Sequence, residues 1–202
     1  MDTIAYVHGK GGSAAEAAHY KPLFPRCGVI GIEYTHDTPW EAGEEIRRSI
    51  AQLRANCGRV VLIANSIGAF FSMNADIEEY IAHAFFISPI ADMAKLITDM
   101  MGRAGADEQE LRRRGVIRTD FGEDLSWEYL RYVRDHPVRW SVPTDILYGS
   151  RDNLTSMETI TDFAREHHAS LTVMEGGEHW FHTDEQMLFL DSWIRDKLDR
   201  LA

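Results

Sequence analysis

Short apolar runs, each followed by a helix-length segment, recur along most of this chain and constrain its fold more than any other feature. The first run, Ile4 to Val7, stops at His8-Gly9-Lys10-Gly11-Gly12-Ser13, and an alanine-rich helix is expected from Ala14 to Tyr20. Pro22 and Pro25 bracket a loop, and Gly28 to Tyr34 reads as a second strand. Trp40 to Asn56 carries Ile46, Ile50 and Leu53 on one helical face with charges opposite, and Gly58 stands just past its end. Val60-Val61-Leu62-Ile63-Ala64 is rich in β-branched residues, as suits a strand buried on both faces. A further helix leads to a fourth strand, His83 to Ile87. Strands that alternate with helices over short connections pair in parallel, with the helices covering both faces of the sheet. The fold class expected is therefore α/β, in three layers.

The rhythm pauses from Ile90 to Trp140. That stretch is helical in composition and shows no clear strand. Its separable pieces are Asp92 to Gly102, Asp107 to Arg114 (ended by Gly115), and Trp127 to Asp135 before Pro137. No linker composition sets it apart, so 1-202 is expected to be one domain with 90-140 as a helical insertion. The alternation resumes with a strand at Pro143 to Gly149, a helix from Ser156 to His167, a strand from Leu171 to Met174 and a last helix from Asp184 to Leu198. At 202 residues the chain is long enough for a single three-layer core.

A net charge of -11, spread along the chain, argues against nucleic acid or an anionic membrane as the main partner. The two cysteines, Cys27 and Cys57, have neither metal-ligand company nor a disulfide framework around them. They read as free, mostly buried thiols in a reducing compartment. Met1-Asp2-Thr3 enters strand-like sequence at once, so no signal peptide is expected. No apolar run approaches the roughly 20 residues that cross a bilayer, and a cytoplasmic location is expected.

The candidate site residues all fall where strands end, the edge of an open α/β sheet at which ligands bind. Ser66 follows the third strand, with Ala64 two positions before it and Gly68 two after. Small residues at these positions allow a sharp strand-to-helix turn that holds a serine in a strained backbone conformation, although the usual pattern has glycine where Ala64 stands. Asp152 follows the fifth strand in Gly149-Ser150-Arg151-Asp152-Asn153, and His179 follows the sixth in Gly176-Gly177-Glu178-His179-Trp180. A serine hydroxyl is a poor nucleophile until an imidazole takes its proton, and the imidazole needs a carboxylate to fix its tautomer and stabilise its cation. Serine, acid and histidine stand in the chain order of the α/β hydrolases. The glycine-rich stretch after the first strand must bring backbone N–H groups close to something, or else is a tight turn without a ligand. It is not a phosphate loop, because a Walker loop has its glycines before the lysine and Ser or Thr directly after it.

With these motifs in place, nearly the whole chain resembles a small, carboxylesterase-like α/β-hydrolase, a reduced member that begins at the strand bearing the oxyanion loop. The resemblance implies a mostly parallel six-stranded sheet with 90-140 in the cap position. It matches His8 and Gly9, with Gly11 and Gly12 beyond them, to the oxyanion loop. It assigns the oxyanion donors to the backbone N–H groups of Lys10 and Ile67, and the catalytic roles to Ser66, Asp152 and His179. The activity implied is cleavage of a small-molecule ester, thioester or amide through an acyl-enzyme, with a small acyl substrate as partner and no cofactor or metal. Met93 and Met100, among the apolar residues of the insertion, are expected to line the acyl pocket.

Rival readings stand beside this one. The same fold could serve a binding protein that turns over slowly or not at all. His182, three residues after His179, is a second candidate base, expected inside the last helix, and the pair could in principle hold a metal with Asp184 or Glu185. The basic run Arg112-Arg113-Arg114 is either a solvated helix face or a clamp for a substrate carboxylate, and His167-His168 suits a helix C-terminus.

Overall fold

In the computed structural model, which describes residues 2–198, strands β1 (Thr3–Val7), β2 (Gly28–Ile32), β3 (Val60–Asn65) and β4 (Ile81–Ile87) pair in parallel. They share a sheet with β7 (Thr144–Gly149) and β8 (Ser170–Met174), and the order is β2-β1-β3-β4-β7-β8. Helices α1 (Pro39–Asn56), α2 (Ile67–Met73), α6 (Met157–Glu166) and α7 (Asp184–Leu198) supply the covering layers. Every residue of β1 and β7 is buried, as a strand with helices on both faces requires, whereas the edge strands β2 and β8 are buried at one position each. Pairing of Val7 with Ala64, Asn65 with Ile87 and Gly149 with Met174 aligns the C-terminal ends of the strands along one edge.

Pro39 opens α1 at a position where its missing N–H costs nothing, and Ala42, Ile46 and Ile50 form the buried stripe. On α7 the buried residues are Gln186, Leu190, Trp193 and Ile194, with the Trp193 ring edge-on to Phe85 of β4 at 5.7 Å. Among the described residues no helix is long and apolar enough to cross a membrane.

The described chain divides into two compact units, one running to Ala91 and resuming at Arg139, the other Asp92–Val138. The second unit contains α3 (Met93–Arg103), α4 (Glu108–Arg114), β5 (Val116–Arg118), β6 (Asp124–Ser126) and α5 (Trp127–Asp135). Met93, Ile97 and Met101, spaced by one helical turn, are the buried residues of α3, which packs on α5 and β6. A two-pronged Arg134–Glu108 pair at 2.8 Å joins α5 to α4.

Several boundaries differ from expectation. The segment Ala14–Leu23 is a 3-10 helix that runs through Pro22, which the sequence had placed at a loop edge. β2 stops at Ile32, and Tyr34 beyond it turns in to donate to the His8 carbonyl at 2.8 Å. The insertion is not purely helical. β5 and β6 form an antiparallel hairpin with Ile117 opposite Leu125 on the buried side. Thr119 closes its turn, donating to the Glu123 carbonyl and accepting the Glu123 N–H. Three-residue strands are too short for their alternation to register in sequence. Cys27 and Cys57 are free thiols, but half-buried rather than buried; both lie in connections, Cys57 being the residue that ends α1.

A polar network absent from the sequence reading lies at the opposite edge of the sheet. His83 near the start of β4 donates to Asp145 Oδ2 at 2.9 Å, Lys197 in the last turn of α7 reaches Asp145 Oδ1, and Ser170 of β8 bonds the same carboxylate. Burial alone would raise the Asp145 pKa. The hydrogen bonds from His83, Lys197 and Ser170, with the Lys197 charge, outweigh it and hold the carboxyl well below the usual carboxylate range.

Candidate active site

Ser66 joins β3 to α2 at φ 53°, ψ -122°, a backbone conformation that non-glycine residues rarely adopt. Three hydrogen bonds hold it there. Its N–H donates to the Ile87 carbonyl at 2.9 Å, and its own carbonyl accepts from Ala69 and Ile90 at 3.2 Å each. Gly68 permits the turn, because a Cβ at that position would lie 2.2 Å from the His8 carbonyl oxygen. The backbone after β1 therefore passes directly over the start of α2.

That backbone is the glycine-rich stretch. A Cβ on Gly9 would come within 3.2 Å of the Ser66 Cβ, so Gly9 lies against the serine. His8 Nδ1–H donates to the Gly9 carbonyl at 2.8 Å, and its ring stacks on Tyr34 with centroids 4.2 Å apart. Gly11 takes φ 73°, and Gly12 N–H closes the turn onto the Gly9 carbonyl at 3.1 Å. Glu16 anchors the far side, accepting the Ser13 N–H at 3.2 Å and the Tyr6 hydroxyl. Lys10 directly follows Gly9. Ile67 is the first residue of α2, where a helix leaves N–H groups without an intrahelical partner.

On the other side of Ser66 its Oγ stands 2.8 Å from His179 Nε2, and His179 Nδ1 stands 2.7 Å from Asp152 Oδ2. The carboxylate accepts a hydrogen bond from Nδ1–H, which fixes the tautomer and leaves Nε2 as the acceptor for the serine hydroxyl. Asp152 is fully buried at its side chain, and its second oxygen accepts the N–H groups of Leu154 and Thr155 at 2.8 and 2.9 Å. The acid turn and the histidine loop touch at glycine, since a Cβ on Gly149 would lie 2.5 Å from Gly177 backbone atoms. The Arg151 N–H ties the two together by donating to the Gly177 carbonyl at 2.8 Å. A serine, an imidazole and a carboxylate in unbroken hydrogen-bonded sequence can move a proton off the hydroxyl as it attacks.

Solved structures share this architecture. Est1E from Butyrivibrio proteoclasticus superposes with a TM-score of 0.76 at 16% identity, covering 98% of this chain and 87% of that one. Mouse alpha/beta hydrolase domain-containing protein 10 gives 0.71 at 14%, over 99% and 90%. A serine hydrolase without lid from Xanthomonas campestris gives 0.65 at 16%, over 99% and 82%. The fold is that of the α/β hydrolases. No family model and no curated protein matches the chain. Within the α/β-hydrolase fold, the ends of β3, β7 and β8 bring Ser66, Asp152 and His179 together from positions 113 and 27 residues apart in sequence.

His182, expected inside the last helix, lies before it, because α7 begins at Asp184. Thr183 Oγ1 accepts the Gln186 N–H at 3.3 Å and Gln186 Oε1 accepts the Thr183 N–H at 3.4 Å, a Thr-x-x-Gln box that starts α7 at Asp184, and Gln186 Oε1 also accepts the His182 N–H at 3.0 Å. The imidazole of His182 stacks on the exposed Trp180 ring at 4.4 Å, and its Nδ1–H donates to the Trp180 carbonyl at 2.7 Å. Among the described residues no three His, Cys, Asp or Glu side chains gather as a metal site. Two members of the basic run are engaged within the second unit, Arg114 with Glu110 at 3.1 Å and Arg112 over the Trp127 ring. Met93 and Met100 belong to that unit too, Met93 in the buried stripe of α3. A contact to Asp152 that sequence reading missed comes from Thr155. Its signal was its place three residues after Asp152, because an aspartate side chain often closes a turn by accepting the N–H groups that follow it.

Proposed function

We propose that this chain is a serine hydrolase that cleaves a small-molecule carboxylic ester, or the related thioester or amide, through an acyl-enzyme. The observation that carries this reading is the continuous relay Ser66–His179–Asp152, 2.8 and 2.7 Å, built on a serine in the left-handed region. Ser66 Oγ attacks the substrate carbonyl carbon while its proton passes to His179 Nε2. Asp152 holds the Nδ1–H and stabilises the imidazolium. The N–H groups of Lys10 and Ile67 donate to the oxyanion, an interaction worth about 3 kcal/mol of barrier per donor in comparable sites. His179 then protonates the leaving oxygen, nitrogen or sulfur, and the acyl-enzyme forms. In the second half His179 takes a proton from water, the hydroxide attacks the acyl carbon, and Ser66 recovers its proton as the acid departs. Two neighbours lend support: Est1E has been solved with ferulic acid bound, and the Xanthomonas campestris structure is described as a serine hydrolase.

The test is labelling with a fluorophosphonate probe, followed by a panel of acyl esters of graded chain length. Wild-type protein should be labelled on Ser66 and turn over one or more esters. Ser66→Ala should abolish labelling and lower kcat by a factor on the order of 10³ or more with its melting temperature retained. Undiminished labelling in a folded Ser66→Ala protein would overturn the reading.

A further inference from the structure

Thr155 is buried, and each of its polar groups is committed. Its N–H donates to Asp152 Oδ1 at 2.9 Å, its carbonyl accepts the Tyr148 hydroxyl at 2.8 Å, and its Oγ1 donates to the Pro89 carbonyl at 3.1 Å. Pro89 lies in the three-residue strap Ser88-Pro89-Ile90 that leaves β4, and strand order places β4 between the strands bearing Ser66 and Asp152. The strap is pinned at both ends. Ser88 N–H donates to the Leu147 carbonyl at 2.8 Å, and Ile90 N–H donates to the Ser66 carbonyl at 3.2 Å. Ser88 is fully buried at φ 43°, and its hydroxyl has no hydrogen-bond partner among the described residues. Such a costly backbone conformation persists only where the surroundings over-determine it, and such positions cluster at functional sites.

We propose that Thr155 is a positioning residue: through its N–H it sets the Asp152 carboxylate against His179, and through its hydroxyl it ties that carboxylate to the strap that holds Ser66. The proposal rests on the serine-hydrolase reading. Its physical basis is the fixed size of an imidazole. His179 can keep both short hydrogen bonds only if Ser66 and Asp152 stand at one separation. Their own strands do not pair with each other, because β4 intervenes. The path from Asp152 Oδ1 through Thr155, Pro89 and Ile90 to the Ser66 carbonyl spans that gap with hydrogen bonds at 2.9, 3.1 and 3.2 Å. A displacement of about 1 Å in such a constellation costs as much as 10²-fold in rate.

The experiment compares Thr155→Val, which keeps the shape and the backbone N–H but loses the hydroxyl, with Thr155→Ser, which keeps the hydroxyl. Each is measured for kcat and KM on the best ester of the panel, for the rate of fluorophosphonate labelling, and for the far-downfield NMR resonance of the His179 Nδ1 proton, assigned by its loss in His179→Ala. Thr155→Val should lower kcat and the labelling rate by about 10- to 100-fold with KM within about twofold, and broaden or abolish the resonance. Thr155→Ser should restore all three. Thr155→Ala serves as a second hydroxyl deletion should the valine protein fail to fold. An unchanged resonance and labelling rate in a folded hydroxyl deletion overturns the proposal, as does a serine variant as impaired as valine, which would make the methyl contact the cause. A wild-type protein that takes no label and cleaves no ester defeats the hydrolase reading instead, and the resonance then still decides the role of Thr155.

Discussion

Two histidines three residues apart meet different fates because of what surrounds them. His179 lies between a buried carboxylate and Ser66, with its side chain 13% exposed. His182 is stacked on an exposed indole, with Glu178 3.6 Å from its Nδ1 and solvent close by. Only the first stands within hydrogen-bond reach of the Ser66 hydroxyl. His179→Ala should therefore lower kcat/KM by a factor on the order of 10³ or more, and His182→Ala should stay within about threefold of wild type. Parallel ester kinetics on the two variants check this, and the reverse ranking would move the base to the start of α7.

At the scale of elements, the site is set by how closely adjacent strand ends can approach. The turn after β7 carries Asp152 and the loop after β8 carries His179, and they meet where Gly149 faces Gly177. Neither glycine adopts a left-handed conformation; the need at Gly149 is for space, since a methyl group there would meet backbone atoms at 2.5 Å that cannot rotate away. Gly149→Ala should destabilise the fold by about 1–3 kcal/mol, the usual cost of overpacking, and slow probe labelling under native conditions by separating acid from base. Urea denaturation and labelling kinetics measure the two effects. An alanine variant with wild-type midpoint and labelling rate would show that the two loops do not depend on this contact.

Across the whole molecule, polar clusters lie at both ends of the strands, the candidate site at the C-terminal ends and a buried carboxylate network at the N-terminal ends. At the latter, Asp145 joins β4, β7, β8 and the end of α7 through His83, Ser170 and Lys197. Its carboxyl is depressed in the folded protein relative to about 3.9 in an unfolded chain. A depressed acid contributes stability that is full above the unfolded value and is lost as pH falls through the folded one, so this contribution should fade below about pH 4. Asp145→Ala leaves buried partners uncompensated and should cost about 3 kcal/mol at neutral pH. It should also flatten the decline in stability below pH 4. Chemical denaturation across pH 2–7 tests both, and a parallel decline in wild type and variant would assign the acid sensitivity to other carboxylates.

The alternation of strands and helices was legible along the chain, because burial on both faces of a parallel strand leaves an apolar run and a covering helix leaves a 3.6-residue period. Ser66, Asp152 and His179 were legible as candidates too, since each follows a strand end and carries small residues or turn formers beside it. The β5–β6 hairpin escaped notice because three residues per strand leave too little alternation to read. His182 was drawn into α7 because its capping box, Thr183 with Gln186, was not recognised. Which polar residues meet was not legible, because the partners lie far apart along the chain. His83 and Asp145 are 62 residues apart, Asp145 and Lys197 52, Thr155 and Pro89 66. Those pairings follow from the order β3-β4-β7-β8, and strand order is settled by how crossovers and layers pack, which no local period in the chain encodes.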